Sequence, residues 1–68
     1  MSNSFSTAPK GKFKVIIVDG YDQDVWDSGD FDTDVEARAY ADRKSTTILK
    51  VFVYNDQGIL IYEIGGTI

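Results

Sequence analysis

TDVEARAYADRK, residues 33–44, decides the fold, because it is the one stretch of this 68-residue chain that reads as a helix. Thr33 is followed three residues later by Glu36. That is the capping-box spacing, in which the two side chains satisfy amides that a helix start leaves without partners. Behind it Ala37, Tyr40, Ala41 and Lys44 recur at i, i+3, i+4 and i+7, the stripe by which a helix lies on a sheet. The spacing predicts a helix over residues 34–44, with small alanines permitting a close approach and Tyr40 supplying bulk. On its outer side Asp34, Arg38 and Asp42 stand four apart, which suits ion pairs worth about 0.2–0.5 kcal/mol each. Val35 and Ala39 share that side.

On either side of the helix the hydrophobic period changes from helical to alternating. Upstream, residues 12–19 read as a strand: Phe13, Val15 and Ile17 alternate with Lys12 and Lys14 before Ile16 and Val18 make both faces apolar. Gly20, Asp22 and Gln23 are turn residues, and a short second strand over residues 23–27 returns with Val25 and Trp26. Ser28 and Gly29 are expected to break it. Downstream, residues 46–54 carry Ile48, Leu49, Val51, Phe52, Val53 and Tyr54, interrupted only by Lys50, and read as a central strand. Asn55, Asp56, Gln57 and Gly58 form a hairpin loop, and residues 59–64 return as the last strand before Gly65 and Gly66 end the order. The expected architecture is α+β, ββαββ: a four-stranded, mainly antiparallel sheet with one helix packed on one face. Met1 to Gly11 is polar and aperiodic, with Phe5 its only sizeable apolar side chain, so residues 1–11 read as a flexible tail and residues 12–66 as a single domain.

A chain of this length lies near the lower limit for a core that holds without a staple. It contains no cysteine and no histidine. Disulfides and thiolate or imidazole metal sites are therefore excluded, and stability must come from packing or self-association. A hydrophobic content of 43% and an aromatic content of 13% exceed what a disordered segment carries. The net charge of −4 opposes nucleic acid and anionic membranes and suits a partner with a basic surface, or a second copy of the chain. No run approaches the length of a membrane helix and residues 1–12 lack a signal-peptide apolar core, which gives the expectation of a cytoplasmic protein.

The residues offer little to catalysis. Without histidine or cysteine the usual nucleophile–base pairs are missing, and no glycine-rich phosphate loop follows a strand. Asp30, Asp32 and Asp34 imitate the start of a calcium loop, but Val35 stands where glycine is required and Ala41 where a bidentate glutamate is. No enzyme, cofactor or metal site is expected.

Seven of the nine aspartates fall between Asp19 and Asp34. Asp22 reads as turn chemistry, Asp27 with Ser28 and Gly29 as another turn, and Asp32 and Asp34 sit at the positive end of the helix dipole. Asp24 and Asp30 have no obvious local role. Tyr21 and Trp26 stand among these carboxylates, so Tyr21, Asp22, Asp24, Trp26, Asp27 and Asp30 form a candidate acidic docking face.

A second candidate comes from coverage. An eleven-residue helix is about 16 Å long and covers one face of a sheet. Leu49, Val51 and Val53 suit the helix side, which leaves Ile16, Val18, Phe52, Tyr54 and Tyr62 on an open face as a self-association surface. The alternatives are that the tail folds over this face through Phe5, or that the two faces are reversed.

The stretch from Phe31 to Ala41, with Thr33, Glu36, Ala37 and Ala41, resembles the hairpin-to-helix junction of arm-type DNA-binding domains of tyrosine integrases. It also resembles small phage proteins that inhibit host RNA polymerase. This resemblance implies a phage or mobile-element type of protein; the integrase domains are basic and this chain acidic, so no site residue is carried over. Two functions follow as expectations. One is a non-enzymatic regulatory module that binds protein through its open sheet face. The other is an acidic, nucleic-acid-mimicking inhibitor that occupies a basic groove of a host enzyme.

Overall fold

Val15, Ile17, Val51 and Val53 are β-branched residues at alternate positions of two neighbouring strands, and they bury almost completely beneath one helix. The structure, a computed structural model, describes residues 8–66. Its elements are β1 (Phe13–Asp19), β2 (Val25–Phe31), α1 (Asp34–Lys44), β3 (Leu49–Tyr54) and β4 (Leu60–Gly65). The strands form one sheet in the order β2-β1-β3-β4, antiparallel throughout. The fold is the expected α+β, ββαββ arrangement, with β1 and β3 in the centre and α1 joining β2 to β3 across one face.

The helix begins as its capping sequence dictates. Thr33 is extended at φ −134° and its Oγ1 accepts the Glu36 N–H at 3.1 Å. Ala37 and Ala41 are buried against the sheet, and Tyr40 packs its ring 5.0 Å from that of Phe31. Lys44 is exposed, with its ammonium 5.6 Å from the Tyr40 ring centre. The outer ion pairs expected of Arg38 with Asp34 and Asp42 give way to a different arrangement. Arg38 lies over the Tyr62 ring at 5.2 Å and Asp42 accepts the Tyr62 hydroxyl at 2.6 Å, so both helix side chains reach down to β4.

Two expectations about strand ends are corrected. Ser28 and Gly29 do not break β2; the strand continues to Phe31 through a bulge, with Val15 opposite Gly29 and Ile16 opposite Asp27. Gly29, at φ 110°, supplies the backbone geometry of the bulge. Gly65 does not end the order either. It lies in β4 at φ 88°, so close to the start of β3 that an added Cβ would collide with the Leu49 carbonyl oxygen. The Gly66 N–H donates to the Thr46 carbonyl at 2.8 Å.

Of the expected tail, residues 1–7, including Phe5, lie outside the described residues. Residues 8–11 are tied to the domain. The Lys12 N–H closes a turn onto the Pro9 carbonyl at 2.9 Å, with Gly11 at φ 78° as a type II turn requires. The Gly11 N–H donates to Asp56 Oδ2 at 2.8 Å in the β3–β4 loop.

Candidate binding surface

Residues alternate across the sheet, so those between the helix-facing valines point to the side without a helix. Strand register aligns them in three rows. Asp30, Lys14, Tyr54 and Leu60 form the first, Asp27, Ile16, Phe52 and Glu63 the second, and Val25, Val18, Lys50 and Gly65 the third. Through the middle runs an apolar strip of Val18, Ile16, Phe52 and Tyr54, with the two rings 6.3 Å apart. Ile16 is only 5% exposed, whereas Leu60 and Val25 at the margins are 40% and 46% exposed.

Charges frame the strip and are paired within the chain. On the β2 side Lys14 Nζ lies 2.7 Å from Asp27 Oδ2 and 3.1 Å from Asp30 Oδ1. On the β4 side Lys50 Nζ lies 3.1 Å from Glu63 Oε2 and 5.7 Å from the Phe52 ring centre. The hydrogen bond to Asp27 holds the Lys14 ammonium above its usual value, against the opposing effect of burial. Burial works to raise the Asp27 carboxyl, but the bonds from Lys14 and from the Gly29 N–H, with the lysine charge, together leave it below its usual value. Lys12 is likewise raised by its hydrogen bond to Asp32.

At the β1–β2 turn the strip opens into a cavity of about 160 Å³ lined by Val18, Gly20, Tyr21, Ile48, Lys50 and Gly66. Gly20 donates its N–H to the Ile48 carbonyl at 2.9 Å, which brings the turn and the α1–β3 connection together around this space. Tyr21 at 82% and Ile48 at 37% exposure form its lip.

The structure separates the two candidate sets. Ile16, Val18, Phe52 and Tyr54 share the open face as expected. Tyr62 does not; it lies on the helix side, opposite Val53, beneath Arg38 and Asp42. The bulge opposite Tyr54 lets Ile61 and Tyr62 both pack toward the helix-side core, a local break in alternation with no mark in the sequence. The acidic set is divided. Trp26 pairs with Ile17 and so faces the helix side, while Asp27 and Asp30 face the other. Asp30, expected to lack a local role, has one in Lys14. The turn is organised by Asp19, whose Oδ1 accepts the N–H groups of Tyr21 at 2.8 Å and Asp22 at 3.2 Å. Sequence reasoning missed Lys14, Lys50 and Ile48. The lysines were visible as cations within strands, positions where a partner across the sheet is the default expectation.

Among the described residues no three carboxylates are gathered so as to hold a metal ion, and no helix is long and apolar enough to cross a membrane. No protein-family model, curated protein or solved structure matches this chain.

Proposed function

We propose that this chain is a non-enzymatic regulatory module that binds protein through the open sheet face, in the first instance a second copy of itself. The observation that carries this reading is the apolar strip from Tyr54 and Phe52 to Val18, continuous with the cavity beside Tyr21 and Ile48. An apolar centre within a polar rim is how protein-binding surfaces are built. Lys14 and Lys50 stand against the three rim carboxylates Asp27, Asp30 and Glu63, so most of the rim charge is offset within the chain. The same pairing speaks against the nucleic-acid-mimic reading, since Lys12 and Lys14 offset two of the three charges of Asp27, Asp30 and Asp32.

Mass in solution across a concentration series tests it. Dimerisation weakened by Phe52→Asp and tightened by salt is the expected result, because two copies of charge −4 repel and salt screens that repulsion. A monomer at all concentrations overturns self-association. Capture of a basic protein that weakens with salt and is lost in an Asp22→Asn/Asp24→Asn chain would favour the acidic surface instead.

A further inference from the structure

We propose that two copies of this chain pack open face to open face with their strands crossed near a right angle, about a two-fold axis that runs along the apolar strip. Resting on the reading of that face as the self-association surface, this adds the geometry of the pair. The strip has a direction of its own. Val25 and Val18 lie in the third row, Ile16 and Phe52 in the second, and Leu60 and Tyr54 in the first, so each step along the strands is also a step across them. The strip therefore runs from the Val25 corner of the face to the Leu60 corner, diagonal to every strand.

The face is close to square. Its four strands span about 14 Å at about 4.8 Å a spacing, and Lys14 to Val18 in β1 span about 14 Å at about 3.4 Å a residue. A half-turn about the diagonal of a square lays that diagonal on itself and turns the edges through a right angle. Stacked sheets keep their strands either nearly aligned or nearly perpendicular, and the strip selects the second. Aligned stacking would cross the two strips and overlap them only near Ile16 and Phe52.

Charge sets the direction of the axis. Asp27, Asp30 and Lys14 stand on one side of the strip, Glu63 and Lys50 on the other. An axis along the strip lays the first group over the second: Glu63 of each copy comes beside Lys14 of the other, Lys50 beside Asp27, and Asp30 over Gly65, which has no side chain. An axis across the strip overlays the apolar residues equally well but sets Asp30 against Asp30. Both aligned arrangements set the middle-row carboxylates against each other, Asp27 on Asp27 or Asp27 on Glu63. Like charges facing across an interface oppose association, which leaves the axis along the strip.

The chain has no cysteine, so a single substitution supplies one thiol, whose route to a covalent dimer is the same position in a second copy. Residues on a two-fold axis meet themselves. Leu60→Cys, Val25→Cys, Asp27→Cys and Asp30→Cys are treated with a short bifunctional maleimide, with Val35→Cys, exposed on α1, as the control for random collision and mass in solution followed alongside. Leu60→Cys and Val25→Cys are expected to give about tenfold more covalent dimer than Val35→Cys, because a thiol held at an interface meets its counterpart at a raised effective concentration. Asp27→Cys and Asp30→Cys are expected to stay at the control yield. A cross-link through Asp27→Cys or Asp30→Cys instead, or control yields throughout in a chain that is dimeric by mass, overturns the crossed arrangement and leaves self-association standing. A chain monomeric at all concentrations overturns both.

Discussion

The two hairpins on either side of α1 have the same topology and buried inner strands, and they differ in their outer strands. In β1–β2 the outer strand has four of its seven residues exposed. Its geometry is held by polar contacts: Asp19 gathers the turn amides, Asp27 accepts the Gly29 N–H at 2.8 Å, and Lys14 joins Asp27 to Asp30. In β3–β4 the outer strand has two of its six residues exposed, packs Ile61, Tyr62 and Ile64 against the helix-side core, and is brought by Gly65 against the chain entering β3. Surface polar contacts contribute little each, and apolar burial contributes about 1.5–3 kcal/mol per large side chain. Of the two outer strands β4 is therefore the more firmly held, and β2 belongs to the part that opens earliest.

Glycine substitutions probe this contrast most strongly. Gly65→Ala combines φ 88° with a Cβ that collides with backbone, and a loss of at least about 2 kcal/mol in urea unfolding is expected. Gly29→Ala, at φ 110° with open space around its Cβ, is expected to cost about 1–2 kcal/mol, from backbone strain alone. Equal losses at the two sites would break the distinction between the hairpins. Thr33→Ala, at the helix start between them, is expected to cost about 1 kcal/mol, with Thr33→Ser recovering most of it.

The pH dependence of the urea midpoint sharpens the account of the first hairpin. Asp27 titrates below its usual 3.8, so its contribution is fully present above that pH and is lost as pH falls through the lower folded-state value. Lys14 titrates above 10.5, so its contribution is present below that pH and is lost as pH rises through the higher folded-state value. Asp27→Asn is expected to flatten the acid limb, and Lys14→Met the alkaline one. An acid limb unchanged by Asp27→Asn would remove this carboxylate from the support of β2. The smallest effect is expected at the turn itself, where Asp22→Asn and Asp24→Asn each change stability by less than about 0.5 kcal/mol.

Much of this architecture was legible because it rests on local chemistry. The Thr33–Glu36 spacing marked the helix start, and the alternation of Phe13, Val15 and Ile17 marked β1. The open face was legible where alternation holds, at Ile16, Val18, Phe52 and Tyr54. It was lost at Tyr62, because alternation cannot count an unpaired residue. The partners of Lys14 were hidden for a similar reason. Asp27 and Asp30 come to it only through pairing of β1 with β2 and a bulge, which depend on tertiary register rather than on neighbours in the chain.

The irregularity at Ser28 changes the arithmetic of β2. In an unbroken strand, residues three apart project to opposite sides of the sheet. Asp27 and Asp30 project to the same side, and one ammonium reaches both, because a single unpaired residue stands between them. Deleting Ser28 would remove the unpaired residue and leave a regular ladder, with Asp27 still opposite Ile16, Trp26 opposite Ile17 and Val25 opposite Val18. Drawing Ser28 into the ladder opposite Ile16 would instead turn Asp27 and Val25 toward the helix and Trp26 away from it, inverting half of an outer strand with no change of composition.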